Sequence, residues 1–348
     1  MILTIIYFIL ILSIIVIVHE FGHFFFSKLF GVHVYEFSIG MGPKIWSHKR
    51  QNKKDETVYS VRAIPIGGYV QLAGEGLDED KKLPKEKLLQ NKPVWQRFLI
   101  MFFGAGNNFI LALVVLFFLG LIIGSPSTSN VIPSVIDGSP AQLAGIMAND
   151  KITKINGNKI KTLDDLQLYL AISEGETEIE VDRNGVKQTF KVVPLTGEEK
   201  TNAGYSFGIT FNNTYEKGVG SALKYAFTKF RAIIRQMILT IKELFKGTIS
   251  VTNLSGPVGI YSVVDQTKDS GFANLFYLLA LLSINVGFIN LIPFPAFDGG
   301  RILFLIIEKI KGKTIKAETE NLIHNIGFFI LIGLIVFVTI NDIIHLIK

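Results

Sequence analysis

Four stretches of the chain are almost wholly apolar over the length that a membrane-spanning helix needs. A helix crosses the hydrocarbon core of a bilayer with about 20 consecutive, predominantly apolar residues. The pattern therefore predicts four transmembrane helices, at about residues 1–26, 98–124, 274–294 and 322–347. The first stretch has no basic residue before it and no small-residue cleavage site, so we expect a retained helix and not a cleaved signal peptide.

The segment between the first two spans, residues 31–97, predicts a β-hairpin. Residues 59–70 alternate in part between apolar and polar side chains, and Gly67 and Gly68 predict the turn. Two interpretations stay open. The segment is an ordinary hairpin, or it lies against the membrane helices with an open edge that can pair with an extended peptide.

After the second span the pattern changes to short strands with polar turns. Asn184-Gly185 predicts a tight turn between two of these strands. The region of about seventy residues that starts at residue 125 resembles a PDZ domain of the bacterial permuted kind, although Asn149 stands where a glycine often precedes the aspartate. The resemblance implies peptide binding by strand addition, or a plug that limits access by its bulk. The predicted elements are a helix at 163–170 and strands at 178–183 and 188–193.

Residues 218–247 place apolar side chains three or four positions apart, with Lys and Arg between them. This spacing predicts an amphipathic helix. The helix lies in the membrane interface plane, or it packs against the PDZ-like domain; both interpretations stay open.

These patterns predict an α-helical polytopic membrane protein with four transmembrane helices, a cytoplasmic membrane-associated β-hairpin and an extracytoplasmic PDZ-like α+β domain. Each half of the predicted membrane core contributes two spans. The predicted division is residues 1–124 for the first half of the core, 125–200 for the PDZ-like domain, 201–272 for a linker with the interfacial helix, and 273–348 for the second half.

The charge distribution predicts the orientation in the membrane. The chain has 35 Lys and Arg against 29 Asp and Glu, a net charge of +6. Basic residues are frequent in the short segments 28–97 and 301–321, which by the positive-inside rule are cytoplasmic, so both termini and the PDZ-like segment face outward. Basic residues beside membrane helices are attracted to anionic lipid headgroups. With no nucleic-acid-binding motif in the sequence, we expect the lipid bilayer as a partner and no nucleic acid.

His19, Glu20 and His23 form an H-E-x-x-H pattern at the end of the first apolar stretch. On a helix, positions i and i+4 share a face, so both histidines can bind one metal ion while Glu20 acts as the general base. Such a match also arises by chance, but ionisable residues in a membrane segment are costly and indicate function. The chain has no cysteine, so we expect zinc held by histidine and carboxylate.

A catalytic zinc ion needs a third protein ligand, and the candidate is Asp298. It follows an apolar helix interrupted by Pro293 and Pro295. The alternative is that the Asp-Gly-Gly run forms only a turn. Because the predicted topology brings the ends of the first and third spans to the same cytoplasmic side, we favour the ligand.

Together these motifs resemble the site-2 protease family, and within it the RseP-type bacterial regulated intramembrane zinc metalloproteases. The resemblance covers nearly the whole chain and includes the Gly-Gly-Tyr-Val and Asn-x-x-Pro-x-Pro-x-x-Asp-Gly runs. It implies a Zn²⁺ enzyme of the bacterial cell membrane, with His19, His23 and Asp298 as ligands and Glu20 as the base. Gly104 also matches a family motif, in which Ala105 replaces the usual proline.

A transmembrane substrate has to unwind before hydrolysis, because its peptide groups are hydrogen-bonded in its own helix. We expect the hairpin edge to hold the unwound strand and two asparagines to bind its freed peptide groups. The alternative for each asparagine is a hydrogen bond that joins two helices. The resemblance implies that residues 290, 293 and 295 shape the substrate site. The candidate substrate-binding residues are Asn108, Asn290, Pro293, Pro295, Gly67, Gly68 and Tyr69.

The sequence therefore predicts an intramembrane zinc endopeptidase that cuts in or near the transmembrane segments of single-pass membrane proteins after a first extracytoplasmic cut. The family suggests anti-sigma factors and remnant signal peptides as substrates, with a further peptide contact at the PDZ-like domain. One alternative is a proteolytically inactive PDZ-bearing membrane scaffold, which the complete set of ligands and base disfavours. Another is a metal transporter, which needs polar groups along a path across several spans, whereas here they cluster at one depth.

Overall fold

The computed structural model describes residues 2–49, 56–75, 78–127, 129–173, 175–195, 206–211, 215–247, 252, 255–313, 315 and 317–347. The chain forms two compact units: Met1–Val115 with Thr240–Lys348, and Leu116–Leu239. The predicted boundary between the PDZ-like domain and the linker, at residue 200, lies outside the described residues.

The described elements are helices and strands of very different lengths. In chain order they are α1 (Ile2–Leu29), β1 (Val34–Lys49), β2 (Val58–Leu72), α2 (Val94–Ile122), β3 (Ser125–Pro126), β4 (Ser134–Val135), α3 (Pro140–Leu143), β5 (Lys151–Ile155), β6 (Asn158–Lys159), α4 (Leu163–Ile172), β7 (Thr177–Arg183), β8 (Val186–Val192), β9 (Ile209–Thr210), β10 (Tyr215–Glu216), α5 (Val219–Phe245), α6 (Pro257–Thr267), α7 (Phe272–Leu291), α8 (Asp298–Lys311) and α9 (Ala317–Ile347).

Among the described residues, four helices are long and apolar enough to cross a membrane, which confirms the four predicted apolar helices. They are α1, α2, α7 and the Leu322–Ile344 part of α9. Helix α1 continues to Leu29, so the H-E-x-x-H pattern lies inside it. Helix α7 ends at Leu291, and Ile292 is extended because a residue shortly before Pro293 cannot continue the helix.

The first unit holds its helices together through apolar packing and a few polar contacts. Arg97 of α2 forms an ion pair with Glu308 of α8. The side chain of Asp342 in α9 accepts hydrogen bonds from the backbone N–H groups of Gly256 and Gly259, at 2.9 and 2.8 Å. These two N–H groups at the start of α6 have no partner within the helix, so Asp342 caps its N-terminus. The apolar core between α1, α6 and α7 consists of Ile11, Ile15, Val264, Leu275, Leu278 and Leu279.

Strands β1 and β2 form an antiparallel pair whose register shifts along its length. Phe37 lies opposite Val70 on one side and Tyr59 on the other, so both halves of β2 pair with the first half of β1. The predicted turn of a hairpin within residues 59–70 is therefore wrong. Gly67 and Gly68 lie inside β2, because the first half of β1 separates the two segments that were expected to pair.

The second unit contains a four-stranded antiparallel sheet in the order β6-β5-β7-β8, with α3, α4 and most of α5. The turn predicted between β7 and β8 is present, with φ angles of 54° at Asn184 and 85° at Gly185. Asn149 has a φ of 70°, a left-handed conformation that glycine and asparagine adopt most readily. The core of this unit includes Ile132, Ile152, Ile155, Leu166, Ile179, Val181 and Phe207.

Helix α5 has two different apolar faces. One face is buried in the second unit through Ala222, Tyr225, Ala226 and Ile233. Ion pairs of two basic side chains with α4 hold this face in place. The other face exposes a stripe of large apolar side chains, Leu223, Phe227 and Ile238. Beside this stripe lie three exposed basic residues, Lys224, Arg231 and Lys242.

Candidate metal centre

Three side chains of the first unit converge on one point. His19 and His23 lie one turn apart on α1, and Asp298 is the first residue of α8. The Nε2 atoms of the two histidines are 3.2 Å apart, and Asp298 Oδ2 lies 3.1 Å from His19 Nε2 and 3.3 Å from His23 Nε2. The structure thus brings together the three residues that sequence reasoning selected as ligands.

These separations fit a tetrahedral zinc ion. Zinc binds imidazole nitrogen at about 2.0–2.1 Å, so two tetrahedral ligand atoms stand about 3.3 Å apart. Asp298 Oδ2 has no hydrogen-bond partner among the described residues, although it is buried. A cation at the centre satisfies this oxygen and the two nitrogen lone pairs at once. Two imidazoles and one carboxylate form a known ligand set for catalytic zinc, with a fourth position left for water.

The carbonyl group of Ile100 in α2 orients one of the histidines. It accepts a hydrogen bond of 2.8 Å from His23 Nδ1. Because a carbonyl oxygen can only accept, the proton of a neutral His23 is at Nδ1, and the lone pair of Nε2 faces the centre. Contacts of this kind fix the tautomer and the ring orientation of metal-binding histidines.

Two glycines allow α1 and α2 to approach each other at the centre. A Cβ atom on Gly104 would lie 2.3 Å from His23 Nε2, and one on Gly22 would lie 1.9 Å from the carbonyl oxygen of Phe103. Both separations are far below any normal contact. The backbone of α2 therefore forms the floor of the centre, in a place where no side chain fits.

Glu20 is held by the backbone of β2. Its Oε2 accepts a hydrogen bond of 3.0 Å from the N–H group of Val70. The same strand runs beside α1 for two turns, since Ser13 Oγ donates to the carbonyl oxygen of Pro65 at 2.5 Å. Strand β2 therefore lies against an apolar helix, as in the second interpretation of the hairpin, and holds the carboxylate next to the two histidines.

A buried polar network lies on the β1–β2 pair next to Val70. Glu36 receives hydrogen bonds from Ser60 and Arg62 and an ion pair from Lys44, and Arg62 also donates to the hydroxyl of Tyr69. Burial alone would raise the pKa of Glu36, but these donors hold it at about 2. The network holds Tyr69, the residue of β2 that precedes Val70, in place.

The turn before Asp298 is tightly packed. A Cβ atom on Gly299 would lie 2.2 Å from the carbonyl oxygen of Ile292, and one on Gly300 would lie 2.4 Å from that of Phe294. The Asp-Gly-Gly run is thus the start of α8 and not only a turn. Burial raises the pKa of the Asp298 carboxyl group, and the neighbouring His23 and His19, when protonated, lower it below its usual value.

The candidate substrate-binding residues have different environments. Asn108 is fully buried, and neither of its side-chain polar atoms has a hydrogen-bond partner among the described residues. Asn290 is half-buried in the last turn of α7, and Pro293 is exposed. Tyr69 is bonded to Arg62 within β2. Asn108 is therefore the member of the set with free hydrogen-bonding capacity in a buried place.

Sequence reasoning missed the contacts that act through the backbone. The N–H group of Val70 and the carbonyl group of Ile100 leave no signal in the sequence, because every residue type supplies a carbonyl group and every type except proline supplies an N–H group. Gly22 was visible in the sequence, since the smallest residue occupies one of the two variable positions of the H-E-x-x-H pattern. Its meaning depends on the position of Phe103 in α2, which the pattern does not give.

Comparison with known proteins identifies the family. Residues 7–334 match Peptidase family M50. A Clostridium perfringens protein named as a zinc metalloprotease is 37% identical over 342 residues, and the alignment covers 98% of each chain. The regulator of sigma-W protease RasP of Bacillus subtilis is 34% identical, again with 98% of each chain covered. The zinc metalloprotease RasP of Bacillus licheniformis is also 34% identical at the same coverage.

These matches extend over almost the whole chain and agree with the donor set and the four apolar helices. The enzyme uses zinc and is a membrane protein with a hydrolytic centre. The chain belongs to Peptidase family M50, the site-2 protease family, and is a zinc metalloendopeptidase.

Proposed function

We propose that this enzyme hydrolyses peptide bonds in or near the transmembrane segments of single-pass membrane proteins, with His19, His23 and Asp298 as its zinc ligands. One observation carries the assignment: three ligand atoms from two distant parts of the chain lie 3.1–3.3 Å from one another. Two of them belong to an apolar helix long enough to cross a membrane. Hydrolysis therefore takes place at membrane depth.

The residues around the centre divide the chemistry between them. Zinc, when bound, supplies Lewis-acid activation of a water molecule and of the scissile carbonyl group. Glu20 takes the proton from the attacking water and passes it to the leaving amine. Its Oε2 already accepts from the Val70 N–H group, which leaves Oε1 free for the proton. The hydrogen bond also keeps the carboxylate pointed at the centre in a low-dielectric surrounding.

The substrate lies as an extended strand along β2. Residues 65–70 of this strand follow α1 from Ser13 to Glu20, so a strand paired with this segment passes the histidines. Gly67 and Gly68 keep this part of the strand free of bulk, and Tyr69 anchors it through Arg62. Asn108 supplies an unpaired amide for the peptide groups that unwinding exposes. Asn290, Pro293 and Pro295 form the other wall.

The centre faces the cytoplasmic side, and the PDZ-like region at 125–200 is extracytoplasmic. Anti-sigma factors and remnant signal peptides, trimmed first on the outer side, are the substrate classes. The name of the Bacillus subtilis relative, regulator of sigma-W protease, supports the first class. The PDZ-like region contacts substrate or peptide, and residues 1–124 and 273–348 form the two halves of the membrane core.

Helix α5, in the predicted linker 201–272, lies in the membrane interface. A Cβ atom on Gly120, in the last turn of the α2 span, would lie 3.1 Å from the Tyr225 ring and 3.2 Å from Ala222. Helix α5 therefore begins at the depth where α2 ends. Its exposed stripe at Leu223 and Phe227 then meets acyl chains, and the basic residues beside the stripe meet phosphate groups.

The test is the Glu20→Gln variant, co-expressed with a single-pass reporter substrate that is already trimmed on its outer side. General acid–base catalysis contributes about 10²- to 10⁴-fold, so we expect cleavage to fall by at least that factor. Zinc content should stay at the wild-type level, whereas His23→Ala should lose zinc. Glu216→Gln, which changes an exposed carboxyl group in β10, is the matched control.

Equal cleavage by the Glu20→Gln variant and by the wild type would refute the role of Glu20. Equal zinc content in the His23→Ala variant would refute the ligand assignment. A wild-type enzyme that retains the reporter substrate without cutting it would favour the scaffold alternative.

A further inference from the structure

Helix α9 carries no residue of the metal centre, and most of its span is exposed. Within Leu322–Ile344, only 11% of an 18-residue apolar window is buried in the described structure. Gly327 is an exception, because it is buried against the turn that connects α7 with α8. A second attachment lies near the other end of α9, at Val338 and Asp342.

The contact at Gly327 is closer than a side chain allows. A Cβ atom there would lie 2.7 Å from Pro295 Cβ and 3.0 Å from the backbone nitrogen of Ala296. Neither neighbour is the end of a flexible side chain. The proline ring fixes its own backbone angle, and the nitrogen is part of the main chain. Any side chain at residue 327 therefore has to push the turn and α9 apart.

The turn has no free space on its other side. Pro295 is also packed against the start of α8, where a Cβ atom on Gly300 would lie 2.8 Å from Pro295 Cα and 2.4 Å from the Phe294 carbonyl oxygen. The first turn of α8 closes with a hydrogen bond of 3.0 Å from the Gly300 N–H group to the Phe297 carbonyl oxygen. The turn is held between α9 and the residues that follow Asp298.

A second contact of α9 supports the same arrangement. One turn before Gly327, the His324 ring packs edge-on against Phe304 of α8, with ring centroids 5.8 Å apart. Helix α9 thus touches both the turn before Asp298 and the helix that Asp298 begins. A displacement of the turn reaches Asp298 Oδ2 through these rigid contacts.

We propose that Gly327 is a positioning residue, which sets the place of Asp298 at the metal centre by letting α9 pack directly on Pro295 and Ala296. This inference rests on the proposed role of Asp298 as a zinc ligand. Zinc sites tolerate deviations of about 0.2 Å in ligand distance, so a shift of the turn by a few tenths of an ångström weakens binding. Loss of a group that orients a ligand typically lowers metal affinity about 10- to 100-fold.

The test compares Gly327→Ala with Gly333→Ala on the same helix, where a Cβ atom meets nothing within 4 Å. Both variants, as full-length purified protein, are measured for zinc affinity by competition with a chelator. The visible absorption of the Co²⁺-substituted protein reports the geometry of the ligands. We expect about 10- to 100-fold weaker zinc binding and an altered Co²⁺ spectrum for Gly327→Ala, and wild-type values for Gly333→Ala.

A double variant keeps the proposal testable if Gly327→Ala is unstable. Pro295→Gly removes the Cβ atom that the new methyl group meets, so Gly327→Ala with Pro295→Gly should bind zinc more tightly than Gly327→Ala alone. Asp298→Ala is measured in parallel. If Asp298→Ala keeps wild-type zinc affinity, the ligand assignment fails. If Asp298→Ala loses zinc while Gly327→Ala has the same zinc affinity and Co²⁺ spectrum as Gly333→Ala, the role of Gly327 is refuted. It is also refuted if the double variant binds zinc no more tightly than Gly327→Ala alone.

Discussion

Gly104→Ala tests whether the backbone of α2 is the floor of the metal centre. The added methyl group would lie 2.3 Å from His23 Nε2, 2.4 Å from His23 Cε1 and 3.0 Å from His19 Cε1. An ordinary van der Waals contact begins at 3.4 Å, so His23 or the helix has to move by about 1.1 Å. That is roughly five times the deviation of about 0.2 Å that a zinc ligand tolerates.

The magnitude follows from the energy of overpacking. Forcing one extra methyl group into a filled site costs about 1–3 kcal/mol. If His23 moves, it leaves the geometry that binds zinc, and if α2 moves, the centre loses its floor, so in both cases the cost makes the free energy of zinc binding less favourable. At 1.4 kcal/mol for each factor of ten, zinc affinity should fall about 5- to 140-fold. The zinc-free protein, in which a shift of His23 costs no contact with a bound ion, should be less affected in its thermal unfolding.

The measurement is zinc affinity by chelator competition, with thermal unfolding in detergent as the second readout. Gly106→Ala is the matched control, because the nearest neighbours of a Cβ atom two residues further along α2 are the Phe103 and Phe102 rings, at 3.2 and 3.4 Å. Zinc affinity of Gly104→Ala equal to that of Gly106→Ala would refute the close approach of α2 to the histidines.

Three further predictions test the surroundings of the centre. The pKa of Glu36 is lowered from 4.5 to about 2, so the ionised carboxylate contributes about 3 kcal/mol of stability above pH 4.5, and this is lost as the pH falls towards 2. The difference in unfolding free energy between the wild type and Glu36→Gln should therefore shrink over this pH range. A constant difference would contradict the assignment. Asn108→Leu removes two buried polar atoms that have no hydrogen-bond partner among the described residues, so it should raise the free energy of unfolding by about 1–3 kcal/mol. It should also raise KM for a transmembrane substrate. A lower free energy of unfolding with an unchanged KM argues against a binding role. A fluorophore sensitive to polarity, attached at Phe227→Cys in this cysteine-free chain, should shift to the blue in lipid vesicles, whereas one at the exposed Gln236→Cys should not; equal spectra would exclude an interfacial stripe on α5.

The sequence alone predicted those features of the fold that follow from a single physical requirement. A bilayer demands long apolar runs, and four helices of the required length and apolarity are present among the described residues. Helical spacing predicted that His19 and His23 share a face, and the predicted topology brought Asp298 to the same side; the structure places the three side chains together, and their role as zinc ligands stays a prediction. The left-handed Asn184-Gly185 turn was equally local, since both residues tolerate positive φ angles.

The β1–β2 pair shows a feature that a local sequence pattern does not predict, namely which strand segments pair. Alternation along residues 59–70 correctly indicated extended structure, but the partner of each half was not encoded in that segment. The first half of β1 lies between the two halves of β2, so the glycines that resembled a turn serve close packing instead. A Cβ atom on Gly68 would lie 2.5 Å from the Ser38 carbonyl oxygen, a contact that only the fold creates.

The metal centre depends on glycines as much as on its ligands. Apolar helices in a membrane gain little from burying more apolar surface, so close packing through small residues decides how they associate. At this centre Gly104 lies against His23 and His19, and Gly327 lies against the turn that leads to Asp298. Each proposed ligand, or the turn that leads to it, therefore lies against a residue with no chemistry of its own. Because an added methyl group at either glycine acts on ligand geometry before it acts on the fold, zinc affinity should be the more sensitive measure of change at these two positions.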